Sequence, residues 1–405
     1  MFRGTRLAPI RYADPWDETL EARLAALTRP GAKRRVAYLY EQPDATTFRY
    51  RVYNMIAALR GDPDIAAAWF ADYEIDRLLP LLDRCDSIVV CRVRYNERIG
   101  RLLARAHALG VATVFDVDDL VFDTDYVHLL VDTLALPITP ETWDGWFAIV
   151  GRTGATLRLC DRVITTNRFL AEKITEFTPG KPVAVIPNFL NAEQLAICER
   201  MLGQKQRYGY AVDPPIYLGY FSGTPTHAHD FAILVDALAR LLAADKRLAL
   251  RLVGHVAPPP KLARFAERIE RYPLQDFPNL QRLIGQTELN LVPLQQNAFT
   301  NCKSELKYFE AAAIGTATIA SPTFAFRQAI EDGVNGWLAT APYWEERIGV
   351  ALADWGRYRE IAEAAVRHAW ATYTPEAMAP LVKSVLLRNA TAEKTAEARP
   401  SAFLP

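Results

Sequence analysis

The sequence predicts an α/β protein of two units in tandem, and three observations carry that expectation. Short apolar, β-branched runs alternate with stretches of helical period over most of the chain, the pattern of parallel sheets wrapped by helices. The alternation is interrupted by a polar, aromatic stretch over residues 203–215 that ends in Asp213-Pro214-Pro215 and breaks helix. At 405 residues the chain also exceeds what one hydrophobic core serves.

In the first unit, strands are expected at 35–39, 67–70, 87–93, 111–117, 162–166 and 183–186, and helices at 48–59, 74–84, 96–109, 142–159, 168–177 and 191–202. In the second, strands are expected at 216–221, 248–253, 289–293, 317–320 and 336–339, and helices at 230–244, 261–271, 303–314 and 325–331. The chain is helical from Trp344 onward, with a last helix at 375–387. The domain plan is an N-terminal extension at 1–34, a first domain at 35–205, a linker at 206–215, a second domain at 216–372, a C-terminal helix at 373–390 and a tail at 391–405. That tail, rich in Ala, Thr, Glu and Pro without periodicity, is expected to be mobile.

The 47 basic and 47 acidic residues cancel, so no global field attracts nucleic acid, and any phosphate must be bound locally. Five cysteines without CxxC spacing argue against a zinc site or disulfide framework and suit a reducing cytoplasm. No apolar run approaches the length of a membrane span, and the first 13 residues mix Arg, Asp and Pro where a signal peptide needs an apolar stretch. A cytoplasmic protein is expected, compatible with peripheral contact at the inner face of a membrane.

Open parallel sheets bind ligands beyond the carboxyl ends of their strands, so the loops there carry the candidate chemistry. After the first strand of the second unit come Ser222, Gly223 and Thr224, whose small side chains let backbone N–H groups approach a phosphate, and His227, a polar contact to phosphate or sugar. The alternative is a plain turn with Asp230 as helix cap. His227 and His229 without a third ligand do not make a metal site. Gly254 and His255, after the next strand, are placed to border a base.

The richest segment runs from Phe299 to Gly315. At about 100° per residue, Lys303, Lys307 and Glu310 share one helical face while Leu306, Phe309 and Ala313 share the neighbouring one. Asn301 is read as the cap, which leaves Lys303 and Ser304 in a first turn suited to an anion, and Glu305 pointing to solvent. A lysine there opposes the helix dipole unless an anion meets it; the alternative is a solvated charge pattern. Glu310 can accept hydrogen bonds from the two hydroxyls of a ribose.

Glu310-Ala311-Ala312-Ala313-Ile314-Gly315-Thr316-Ala317, followed by Ile319-Ala320-Ser321 and by Ile330, Gly333, Asn335 and Gly336, resembles the donor-domain signature of glycosyltransferase family 4. The resemblance spans roughly residues 35–339 and implies the GT-B fold: two Rossmann-like domains facing across a cleft, with a C-terminal helix returning to the first. It implies Glu310 on the nucleotide ribose, retention of anomeric configuration, and neither metal nor cofactor beyond the nucleotide-sugar substrate. Two departures stand out. The glutamate that family members place eight residues before Glu310 to contact the donor sugar is Cys302 here, and their Arg and Lys after the first strand of the second domain are missing. Lys303 is then the expected leaving-group partner. The Lys-Ser-x-x-Lys-x-x-Glu form resembles bacterial transferases that build surface polysaccharides.

In GT-B enzymes the loop after the first strand faces the acceptor, which nominates Thr47, Arg49 and Arg51 as acceptor residues. Asp116-Val117-Asp118-Asp119 resembles a metal-binding DxD, but two α/β halves with a cation for the diphosphate do not call for one. Asp118 is read as orienting an acceptor hydroxyl, with a turn role as the alternative. The expected activity is sugar transfer from a UDP-, GDP- or dTDP-sugar to a hydroxyl of a glycan or lipid-linked glycan. Its rivals are a non-catalytic sugar-nucleotide-binding module and a GT-B-shaped epimerase or phosphorylase.

Overall fold

The computed structural model describes residues 1–134, 138–223 and 228–387. Among the described residues, twelve parallel strands form two six-stranded sheets. The first holds β1 (Arg34–Tyr40), β2 (Ile65–Ala71), β3 (Ser87–Cys91), β4 (Ala112–Asp116), β5 (Arg162–Thr165) and β6 (Val183–Val185), in the order β2-β1-β3-β4-β5-β6. The second holds β7 (Ile216–Ser222), β8 (Leu248–Gly254), β9 (Ile269–Tyr272), β10 (Leu289–Val292), β11 (Ala317–Ala320) and β12 (Trp337–Leu338), in the order β12-β11-β10-β7-β8-β9. Strands such as β2 and β3 are buried along their whole length, as strands covered by helices on both faces must be. The order reverses between β1 and β3 and between β7 and β10, and the two crevices so formed face each other. This is the GT-B architecture that the sequence predicts.

Local deviations have physical causes. Residues 260–268 form 3-10 turns rather than a helix, because three prolines precede Lys261, and the chain then enters β9, an edge strand absent from the sequence reading. The helix expected to end at residue 202 continues as Ala192–Arg207, opened by a reciprocal Asn191/Gln194 cap and closed with Lys205 and Arg207 in its last turn.

The N-terminal extension is a built strap over both domains. Phe2 packs beside Tyr210 and Tyr358 in the second-domain core, and Ile10 exchanges hydrogen bonds with the Asn279 side chain at 2.9 and 2.8 Å. The helix Leu20–Leu27 then lies on β2, with Arg23 in a buried two-pronged pair with Glu74 at 2.7 and 2.8 Å. At the other terminus, the helix Pro375–Leu386 packs on Asn54–Arg60 of the first domain, with Lys383 Nζ 2.9 Å from Asp62. The tail at 391–405 lies outside the described residues.

Candidate functional site

Between the sheets lies a cavity of about 730 Å³ lined by both domains. Its second-domain wall is set by two tight approaches. Gly254, at φ +87°, lies so near β7 that a Cβ there would sit 1.9 Å from the Ser222 carbonyl oxygen, so only glycine fits. Leu294 N–H donates to Ser321 Oγ at 2.8 Å, tying the loops after β10 and β11 together. Ser222 and Gly223 line the cavity, whereas Thr224 and His227 lie outside the described residues. His255 is exposed and, like Gly254, is not among the lining residues, although the adjacent Val253 is.

The segment after β10 is two helices, Ala298–Asn301 and Leu306–Ala312, not one. Asn297, not Asn301, is the cap, accepting from Thr300 N–H at 2.9 Å. Asn301 ends the short helix, turns its Oδ1 to the N–H of Phe324 at 2.8 Å and does not line the cavity. Lys303 and Ser304 therefore precede the second helix rather than sit in its first turn. Glu305 is buried, and burial raises its carboxyl pKa against its hydrogen bond with Tyr373, so it does not point to solvent. Cys302 is buried with Phe299 in the first-domain core cluster, and Asn167 Nδ2 donates to its carbonyl at 2.9 Å. The Cys302 side chain is buried and is not among the residues that line the cavity.

Lys303, Lys307 and Glu310 nonetheless share the cavity wall, with Ser304 beside them. Lys303 Nζ lies 3.6 Å from Asp119 of the first domain and 4.6 Å from the Phe299 ring centroid. Burial pushes the Lys307 ammonium down to about 8, with Lys303 acting the same way and Asp230 and Glu310 opposing. Glu310 is buried, and burial pushes its carboxyl up to about 7 against the pull of Tyr50, Arg49 and Lys307. Its Oε1 accepts the hydroxyl of Tyr50 from the first domain, and Gln194 Nε2 donates to that hydroxyl at 3.3 Å. Ser304 Oγ accepts from Asn188 Nδ2 at 3.1 Å. The residues expected to hold the donor thus meet first-domain partners across the cleft.

On the first-domain side, Thr47 and Asp118 line the cavity, but Arg49 and Arg51 do not. Arg51 is fully buried: Nε and Nη2 donate to the Asp116 carboxylate at 2.8 and 3.1 Å, and Nη1 to the Ile186 carbonyl at 2.7 Å. Arg49 is buried between the Trp16 and Phe277 rings, with Asp14 at 3.3 Å. Both cations hold the fold where the sequence suggested acceptor contact. Asp116, the first carboxylate of the DxD-like run, is occupied by Arg51. Among the described residues no group of three or more His, Cys, Asp or Glu is placed to hold a metal ion.

Arg92 is the functional candidate that sequence reasoning missed. Strand β3 stops at Cys91, and Arg92 takes a left-handed φ of 53°, a costly conformation for a residue with a Cβ. That turn directs the guanidinium into the cleft, where Nη1 donates to Asp118 Oδ1 and Thr47 Oγ1, each at 2.9 Å, with Asp119 at 3.7 Å. Reading 87–93 as continuous strand concealed it.

The Glu310 and Lys307 shifts predict how donor affinity varies with pH. Only the ionised carboxylate accepts both ribose hydroxyl protons, so affinity rises as pH increases through about 7. The Lys307 charge attracts the diphosphate below its titration, so affinity falls as pH increases through about 8. Calorimetric titration with a nucleotide sugar, free of titrating phosphates in this range, should give a bell. Tyr50→Phe removes a hydrogen bond that holds the carboxyl down and should move the acid limb upward; Lys307→Met should abolish the alkaline limb. A flat profile in the wild-type protein would contradict both assignments.

Residues 216–354 match the family described as Glycosyl transferases group 1. No curated protein matches the sequence. Among solved structures, Anabaena Alr3699/HepE in complex with UDP and glucose is similar at 14% identity and TM-score 0.59, covering 87% of this chain and 98% of that one. Sucrose-phosphate synthase of Thermosynechococcus elongatus is similar at 14% identity and TM-score 0.56, covering 90% and 99%. WaaG, a glycosyltransferase involved in lipopolysaccharide biosynthesis, is similar at 14% identity and TM-score 0.55, covering 86% and 99%. At these identities the likeness is one of fold: both domains share the arrangement of these GT-B glycosyltransferases.

Proposed function

We infer, with the group 1 glycosyltransferase match of residues 216–354 and the GT-B fold as premise, that the chain is a glycosyltransferase using a nucleotide-sugar donor. The observation that carries this reading is the cavity wall on which Lys303, Lys307 and Glu310 stand together, two cations and a carboxylate in reach of a diphosphate and a ribose. The UDP and glucose held by the Anabaena structure support a donor of that class. In the reaction, the bond from the anomeric carbon to the diphosphate oxygen breaks, a bond to an acceptor hydroxyl oxygen forms, and the hydroxyl proton passes to the leaving diphosphate, which departs with the bonding electron pair. Lys303 offsets the charge that develops on the leaving diphosphate, as a preorganised cation in a water-poor cleft can. Glu310 exchanges the Tyr50 hydroxyl for ribose hydroxyls.

Retention, hexosyl or deoxyhexosyl transfer, independence from metal and a role in polysaccharide assembly belong to the same proposal; retention and the polysaccharide role rest on the family resemblance. Asp118, fixed by Arg92 and Thr47, orients the acceptor hydroxyl. The test is nucleoside diphosphate release from UDP-, GDP- and dTDP-sugars with and without hydroxyl acceptors. Acceptor-dependent release is expected. Donor binding with no release for any acceptor would support a non-catalytic binding module, and interconversion of free nucleotide sugars would support an epimerase.

A further inference from the structure

The cavity is lined on the first-domain side by polar residues, Glu41, Asp44, Arg92 and Arg94 among them, and by one apolar stretch. Val121 follows the Asp118-Asp119 turn, Leu130 comes from the helix Val127–Asp132, Phe299 from the short second-domain helix, and Trp146 and Ile149 from the helix Pro140–Leu159. Two hydroxyls complete it, yet both have given their protons to their own helix or turn: Thr133 Oγ1 donates to the Leu130 carbonyl at 2.6 Å and Thr153 Oγ1 to the Ile149 carbonyl at 2.9 Å. A wall so built has little to offer a sugar, whose hydroxyls need donors as well as acceptors. It suits hydrocarbon.

The wall borders the reacting groups and leads outward. The Lys303 ammonium is 4.6 Å from the Phe299 centroid, and Asp119 stands two residues before Val121. On the helix Pro140–Leu159, Trp146, Ile149 and Thr153 fall within about 60° of one another at 100° per residue. Trp143 and Phe147 continue the apolar stripe around the helix and are 38% and 47% exposed. Gly154 lets this helix close on the loop, since a Cβ there would meet the Phe122 carbonyl oxygen at 2.2 Å. Single exposed apolar residues are ordinary, but two continuing a cavity wall form a path.

We propose that this wall is an acceptor subsite for hydrocarbon: the hydroxyl that receives the sugar is carried by an acceptor with an alkyl or polyprenyl segment, which lies against Leu130, Trp146 and Ile149 and leaves past Trp143 and Phe147. The proposal rests on the glycosyltransferase reading and narrows its acceptor to a lipid-linked one.

The test is calorimetric titration of the full chain with n-alkyl β-glucosides of four to nine carbons, each below its micellar concentration. Affinity is expected to rise about fourfold per added methylene, as burial of each methylene in an apolar site does. Ile149→Asp should flatten that dependence, and the conservative Trp146→Phe should keep it. Thermal shift by nucleoside diphosphates, run on each variant, reports folding and the donor site independently. Affinity independent of chain length in the wild-type protein, or maltotriose bound as tightly as octyl glucoside, would overturn the hydrocarbon subsite while leaving the donor reading intact. A chain-length dependence with no nucleoside diphosphate bound would instead sink the donor reading.

Discussion

Replacing Lys303 by alanine is expected to lower kcat by about 10²- to 10³-fold, the loss that accompanies removal of one preorganised electrostatic partner of a developing charge. The cation is fixed from both sides, by Asp119 at 3.6 Å and the Phe299 ring at 4.6 Å, so it meets the diphosphate with little reorganisation. Lys307 remains on the same wall and keeps part of the ground-state attraction. The effect should therefore fall on kcat more than on donor affinity, because charge on the diphosphate grows as the glycosidic bond breaks. Steady-state nucleoside diphosphate release measures it. A kcat within threefold of wild type would remove Lys303 from the reaction.

The second large effect is on stability. Arg51→Ala leaves the buried Asp116 carboxylate without its two-pronged partner and the Ile186 carbonyl without a donor. Breaking one side of such a pair costs about 3–5 kcal/mol. For a domain of this size each kcal/mol is worth about 2–4 °C, so the unfolding midpoint of the first domain should drop by roughly 6–20 °C. The double change Arg51→Met with Asp116→Leu removes both charges and should recover most of the loss. A fall of less than about 2 °C in the single variant would mean that Arg51 contributes little to the fold and would reopen its place in acceptor binding.

Arg49 and Arg51 also show where sequence reasoning stops. Two cations between aromatics after a first strand read as a ligand-facing loop, because composition and spacing carry no record of distant cover. That cover is Trp16 of the N-terminal strap and Phe277 of the second domain, contacts separated from Arg49 by long stretches of chain. The strands were legible because apolar, β-branched runs flanked by turn residues have few other solutions, and the edge strand β9, Ile269–Tyr272, was not, because half its residues are charged. Glu310 and Lys307 were legible as one helix face, since a seven-residue helix suffices to align them. Asn301 and Lys303 were misplaced within their helix because nothing in the sequence marks the break between Asn301 and Leu306. Arg92 was hidden by a strand end, where one residue's change of φ redirects a side chain from a sheet face into the cleft.

The most direct measurement is the unfolding midpoint of the wild-type chain and of Glu310→Gln across UDP, GDP and dTDP. At about 100-fold over its Kd, at least one of these should stabilise the wild-type protein by about 2.7 kcal/mol. Glu310→Gln, which replaces a carboxylate acceptor by an amide, should lose most of that gain while folding normally. No stabilisation by any of the three, or an equal shift in both proteins, would contradict a donor site built on Glu310 and the two lysines beside it.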